Sequence, residues 1–161
     1  MTNEVRIEPY RATDTFGMEI RDLSPDMEAV VLSPEYLLFL EKAGPGYSLI
    51  IDDETVMCMI FCKLLYSGVA EVVVLASSLV EKHRRIVQRV CKKCADDVQE
   101  VHKLHRLEAR IPETATRNRL WAESLGMVAE GPIRAFGPNG EDYIQYAKIR
   151  KDLICRHSWQ Q

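Results

Sequence analysis

The chain has 161 residues, 47% apolar and 28% charged, the composition of a folded globular protein rather than a disordered one. Twenty-one basic residues against 24 acidic give a formal charge of −3, which argues against a general nucleic-acid binder. No run approaches the roughly 18 apolar residues of a spanning helix, and the polar start Met1–Arg6 lacks the apolar core of a signal peptide, so the expectation is a cytoplasmic protein.

Glu4 to Pro9 alternates Val5 and Ile7 with charged neighbours and predicts a first strand. Thr13 or Asp14 can cap a following helix, and the acidic, amphipathic stretch from Phe16 to Leu32 predicts one helix broken near Ser24-Pro25. Ser33-Pro34 is a second helix start, with serine as cap and proline at the first helical position. Tyr36, Leu37, Phe39 and Leu40 are its expected buried face, and Gly44-Pro45-Gly46 ends it. Three strands follow: Tyr47–Ile51, Thr55–Leu65 and Glu71–Ala76, with turns at Asp52-Asp53-Glu54 and Ser67-Gly68. The unbroken run Val72-Val73-Val74-Leu75 predicts a central strand covered on both faces.

Ser77-Ser78 then predicts the cap of a long helix over about 81–101. Its face carries Ile86, Val87, Val90, Cys91, Cys94, Val98 and Val101. Arg106–Ile111 alternates as a strand, and Thr114 or Thr116 opens a helix through Leu125 that Gly126 stops. In that helix Leu120, Trp121 and Leu125 are expected to pack. Met127–Phe136 and Glu141–Ile149 predict a hairpin around Gly137-Pro138-Asn139-Gly140, in which Asn-Gly is the hairpin signal, followed by a polar tail, 151–161, with a late Trp159. The order is β-α-α-β-β-β-α-β-α-β-β, an α/β (α+β) domain over 1–150 with a mixed sheet and helices on both faces.

Five cysteines, an odd number, predict reduced thiols. Cys91-x-x-Cys94 lies on a helical face and Cys58 and Cys62 on one side of a strand, so packing is the expected role and no metal site is assigned. His102-x-x-His105 straddles a helix end, and His83 and His157 are scattered. Residues 81–110 carry nine Lys and Arg against five Asp and Glu, a local balance of +4 in an acidic protein. This bias fits either an anionic ligand or a solvated helix face.

The stretch Arg106 to Arg134, with Leu125-Gly126-Met127 and Glu130-Gly131, together with the closing segment Gly140–Arg150, resembles the GNAT superfamily of acetyl-CoA-dependent N-acetyltransferases. More narrowly, the chain is similar to small GNAT-like proteins of tailed phages. The resemblance implies acetyl-CoA as cofactor, lying between the Glu71–Ala76 and Arg106–Ile111 strands. Its pyrophosphate would meet a helix start, where free N–H groups and the helix dipole favour anions. It implies cofactor contacts at Leu75, Ala76, Ser77, Ser78, Lys82, His83, Arg84 and Arg85, and Glu71 as the base that takes a proton from the acceptor amine or protein. The glycine-rich phosphate loop of the family is absent, since no glycine occurs between Gly68 and Gly126. Glu81-Lys82-His83-Arg84-Arg85 offers cationic side chains instead. The helix tyrosine that serves the family as acid corresponds to Ala122, beside Trp121. Tyr143 and Tyr146, three residues apart on the last strand, point to opposite faces, with packing or solvation as their expected roles. Two readings stay open: an active transferase, or a silent GNAT-like fold acting as a virion or host-interaction protein. A homo-oligomer is compatible with either.

Overall fold

A computed structural model describes residues 3–23, 25–63 and 66–154. Leu65, Cys155, His157 and Trp159 lie outside the described residues. The element order is β1 (Val5–Pro9), a 3-10 turn (Ala12–Thr15), α1 (Pro25–Val31), α2 (Pro34–Ala43), β2 (Gly46–Ile51), β3 (Glu54–Lys63), β4 (Val69–Ala76), a second 3-10 turn (Ser78–Val80), α3 (Arg84–Val101), β5 (Arg106–Pro112), α4 (Thr116–Ser124), β6 (Val128–Ile133), β7 (Tyr143–Ile149) and α5 (Lys151–Ile154). This is the expected order with one short helix added at its end. The described residues form two compact units, those within 1–62 and 72–94 and those within 63–71 and 95–161. Strand β4 contributes its first three residues to the second unit and the rest to the first.

In the first unit β1 pairs antiparallel with β2, and β2 with β3. The β2–β3 turn works because Asp52 and Asp53 both adopt positive φ, 52° and 64°. Aspartate tolerates that conformation better than most residues, and two such residues match the twist of a hairpin. Strand β3 is buried along Val56–Cys62. Cys58, Ile60 and Cys62 pack on one side with Leu37 and Leu40 of α2. On the other side Met57 Sδ accepts from Cys91 Sγ of α3 at 3.7 Å. Helices therefore cover both faces of this strand, which is why its apolar run is continuous rather than alternating. The expected fully covered strand is thus β3. Val72, Val73 and Val74 of β4 are half-buried. An apolar run states that a strand can be covered, not how much of it is.

Three further expectations change in this unit. Phe16–Leu23 is not helical: Gly17 and Asp22 take positive φ (77° and 62°), and Ile20 bridges Ser77 while the Arg21 N–H donates to the Ala76 carbonyl. Only Pro25–Val31 of the predicted segment is helix. Helix α2 starts as read, with Ser33 Oγ accepting from the Tyr36 N–H at 3.3 Å, but Phe39 faces solvent while Leu37 and Leu40 are buried. The serine after β4 caps a 3-10 turn rather than the long helix, which begins at Arg84.

In the second unit β4 and β5 run parallel over Val69–Glu71 and Arg106–Glu108, and β7 pairs antiparallel with β5 and β6. Ala109, Ala122, Met127 and Tyr146 form its buried cluster. Gly126 ends α4 at φ 90°, a left-handed position that glycine adopts without a Cβ penalty. Leu120 and Val101 are exposed, so α4 buries Ala122 and Leu125 where Leu120 was expected to pack, and the α3 face stops at Val98. Both lie at or near helix ends or on the flank of the apolar stripe, where periodicity alone does not decide burial. The hairpin forms as expected, but its connection spans residues 134–142 rather than the four residues 137–140, with both strands shorter than read.

Replacing Ser33 by Ala removes the α2 cap and is expected to cost about 1 kcal/mol. Leu40→Ala opens a cavity in the first unit's core and is expected to cost about 2–5 kcal/mol. Urea unfolding monitored by circular dichroism measures both, and a smaller loss for Leu40→Ala than for Ser33→Ala would contradict the packing described.

Candidate functional site

The segment that leaves β4 carries the residues expected to meet an anionic cofactor. Ser77 is buried and anchors it: its N–H and its hydroxyl both donate to the Val56 carbonyl, at 3.0 and 2.9 Å. The same hydroxyl accepts from the Leu79 N–H at 3.3 Å. The N–H groups of Val80, Glu81, Lys82 and His83 then bond to carbonyls of Ser77, Ser78, Leu79 and Val80. Five consecutive main-chain donors, residues 79–83, are thus consumed inside the turn. They are not displayed as a cradle of free amides.

The next donors belong to α3. The His83 carbonyl accepts from Ile86 and Val87, which makes His83 the cap and puts Arg84 and Arg85 at the first two helical positions. N–H groups at those positions have no acceptor within an α-helix, and the helix dipole adds partial positive charge there. The side chains reinforce it. Lys82, Arg84 and Arg85 are exposed, with Arg84 79% accessible. The acidic member of the cluster, Glu81, is held by Arg21 Nη1 at 2.5 Å and lies 4.0 Å from Arg84 Nε. Its charge is therefore countered mainly by Arg21.

The remaining expected contacts separate by exposure. Leu75 is buried in the first unit's core and the Ala76 carbonyl is occupied by Arg21 N–H. Ser78 is exposed. The His83 ring is buried, with Nδ1 3.4 Å from Asn3 Nδ2, so its side chain supports the cap from below.

In the second unit Glu71, the expected base, is half-buried opposite Glu108 in the β4–β5 register. Arg110 lies two residues further along β5, on the same face as Glu108, and places Nη1 3.5 Å from Glu71 Oε1. The Arg110 guanidinium carbon stands 5.3 Å from the centre of the Phe136 ring, which meets Tyr143 edge-on at 5.2 Å. The sequence reading did not single out Arg110 or Phe136. The even spacing of Arg106, Glu108 and Arg110 on one strand was the available signal.

No phenol stands at Ala122. Tyr146 reaches the flanking positions of α4 from β7: its hydroxyl donates to Glu123 Oε1 at 3.0 Å and accepts from Arg119 Nε at 3.2 Å. At 0% exposure it is closed to solvent in this structure and links the strand to the helix. Burial raises the pKa of Tyr143, with Glu141 adding to the shift. Nearby, Arg106 binds Glu130 through both carboxylate oxygens, and these hydrogen bonds hold the Glu130 carboxyl below its ordinary range.

Burial likewise pushes the Cys58 thiol up to about 12 and raises that of Cys91, first by desolvation in each case. Cys94 is half-buried. Among the described residues no group of three or more His, Cys, Asp or Glu is placed to hold a metal ion.

No family model matches the chain, and no curated protein matches it. Solved structures do. An acetyltransferase of the GNAT family from Bacillus anthracis superposes with a TM-score of 0.70 at 16% identity, covering 92% of this chain and 97% of its own. A spermidine N-acetyltransferase chimera from Vibrio cholerae gives 0.73 at 11% identity, covering 93% and 98%. A Bacillus subtilis acetyltransferase solved in complex with CoA gives 0.69 at 14% identity, covering 91% and 99%. At these identities the likeness establishes the fold: this chain has the fold of the GNAT acetyltransferases. Nothing in the comparisons supports the virion or host-interaction role.

Two outcomes check the local chemistry. Native Cys58 and Cys91 are expected to resist a thiol-specific reagent at pH 8 and to react once the protein is unfolded; rapid labelling of either in the native protein would contradict their burial. Tyr146→Phe keeps the ring but removes both hydroxyl bonds, and is expected to lower stability by about 1 kcal/mol in urea unfolding.

Proposed function

We propose that the chain is an N-acetyltransferase that moves an acetyl group from acetyl-CoA to an amine. The observation that carries this reading is the cationic start of α3 within a fold shared with acetyltransferases. Arg84 and Arg85 hold the first two helical positions, whose N–H groups have no acceptor within the helix, and Lys82, Arg84 and Arg85 are exposed there. A pyrophosphate fits that donor set: the main-chain donors supply direction and the guanidinium groups supply paired hydrogen bonds to phosphate oxygens. The turn preceding the helix needs no glycine in this arrangement, because its amides are already bonded internally.

In this reading Lys82, Arg84 and Arg85 hold the pyrophosphate, and Ser78 adds a hydroxyl beside them. Acetyl-CoA, when bound, supplies an acyl carbon activated as a thioester. Glu71 takes one proton from the acceptor's ammonium group. The freed nitrogen lone pair forms the new N–C bond while the C–S bond breaks. The electron pair of that bond leaves on sulfur; the acylated nitrogen gives its remaining extra proton to water, and water supplies the proton that the thiolate takes up. Tyr146 is committed to Glu123 and Arg119, so solvent is the proton source in this account. An amine acceptor is supported by the names of structural neighbours, a spermidine N-acetyltransferase among them. Free thiols and the absence, among the described residues, of any helix long and apolar enough to cross a membrane suit the reducing cytosol.

Thermal unfolding tests the cofactor. Acetyl-CoA at 100 times its dissociation constant is expected to stabilise the fold by about 2.7 kcal/mol. The variant carrying Lys82→Ala, Arg84→Ala and Arg85→Ala is expected to lose that shift while unfolding normally without ligand. No shift in the parent protein at millimolar acetyl-CoA would overturn the reading; an unchanged shift in the triple variant would overturn the placement of the phosphates. Glu71→Gln is expected to lower kcat by 10²-fold or more, about the range of general base catalysis, and to leave acetyl-CoA binding intact.

A further inference from the structure

We infer that the acceptor is a free α-amino acid with an apolar side chain, recognised by Glu71 and Arg110 together. This rests on the transferase reading above.

The inference starts from the register. Glu71 and Glu108 are paired across β4 and β5, and Arg110 is the next residue of β5 on that face. One anionic and one cationic side chain therefore stand side by side, each part exposed, at 26% and 31%. Their contact is single and long, Nη1 to Oε1 at 3.5 Å. It engages one of the five N–H donors of the guanidinium and lacks the two parallel bonds that Arg106 makes to Glu130 in the same unit. An ion pair of this kind contributes little to stability by itself. It does present opposite charges at adjacent points. An α-amino acid carries its ammonium and its carboxylate on one carbon and is complementary to that arrangement: ammonium to Glu71, carboxylate to Arg110.

Phe136 adds the third element. Its ring is 47% exposed, stacked over Arg110 and steadied by Tyr143. It offers an apolar surface next to the two charges, where an aliphatic or aromatic side chain can lie. The same ring makes a cation–π contact with the Arg110 guanidinium, which favours its place beside Glu71. A simple alkylamine or the N-terminus of a protein offers the ammonium but no carboxylate one carbon away, and leaves Arg110 unused. Arg110 is accordingly the specificity-determining residue, and Glu71 serves both to bind the ammonium and to take its proton.

Isothermal titration with L-phenylalanine, L-phenylalanine amide and phenethylamine tests this without turnover. The acid is expected to bind about tenfold or more tightly than either analogue, the ratio of one charge-assisted pair of hydrogen bonds. Arg110→Ala is expected to bring the three to parity by weakening the acid alone, and Arg110→Gln, which keeps a shorter polar arm without the charge, to do the same if the alanine variant unfolds. Equal binding of acid and amide to the parent protein, no binding of the acid at millimolar concentration, or an equal loss for all three ligands in both variants would overturn the inference and leave an internal ion pair. The acetyl-CoA stability shift is measured on the same samples. A preserved shift with no preference for the acid sinks the acceptor class while sparing the transferase; a missing shift sinks the transferase itself.

Discussion

The proposed anion site depends on how the turn after β4 spends its hydrogen bonds. Ser77 is fixed to Val56 through both main chain and hydroxyl, and the hydroxyl also takes the Leu79 N–H. Once that residue is pinned, the 3-10 turn closes on itself and the amides of residues 79–83 are satisfied within it. Main-chain donors remain at the start of α3, and positive side chains cluster at the same place. Glycine earns its place in a phosphate loop by letting bare amides approach an anion. Here the amides of the turn already have partners, so in the proposed reading side chains take over the task that backbone performs elsewhere. Charge then does the work of close approach: a guanidinium reaches an anion from several ångströms away, whereas an amide must be adjacent to it.

That substitution explains why the fold was legible from the sequence and the site only partly. Element order follows from period and punctuation, and these are strong here. Ser33-Pro34 marks a helix start that the Ser33–Tyr36 bond realises. Asp52-Asp53 marks a turn that the positive φ values realise. The failures share a cause. Phe16–Leu23 has a helix-like pattern but is pulled into an isolated bridge and a hydrogen bond with the end of β4, interactions whose partners are over 50 residues away. Ser77 looks like a helix cap in a local reading, yet the turn it caps is three residues long and the helix waits until Arg84. Phe39 and Leu120 are apolar and exposed, which composition cannot foresee.

At the site, the cations at 82, 84 and 85 were legible as a local charge excess, because charge is counted without knowing the fold. Arg110 was not, because its meaning depends on the parallel register that sets Glu71 opposite Glu108. Phe136 was harder still, since it lies in the β6–β7 loop and meets Arg110 only through the tertiary structure. The cysteines were read well for a physical reason. Their pattern followed the apolar faces of β3 and α3, and burial among apolar neighbours is what raises the Cys58 and Cys91 thiols and keeps them unreactive.

The most direct measurement of the account is the salt dependence of CoA affinity compared with that of pantetheine, which has the same thiol arm and no phosphates. If cations at the start of α3 grip the pyrophosphate, CoA binds far more tightly than pantetheine at low salt, and the gap narrows steeply as ionic strength rises. If the two ligands bind alike, or if CoA affinity is insensitive to salt, side-chain charge does not hold the nucleotide and the account fails.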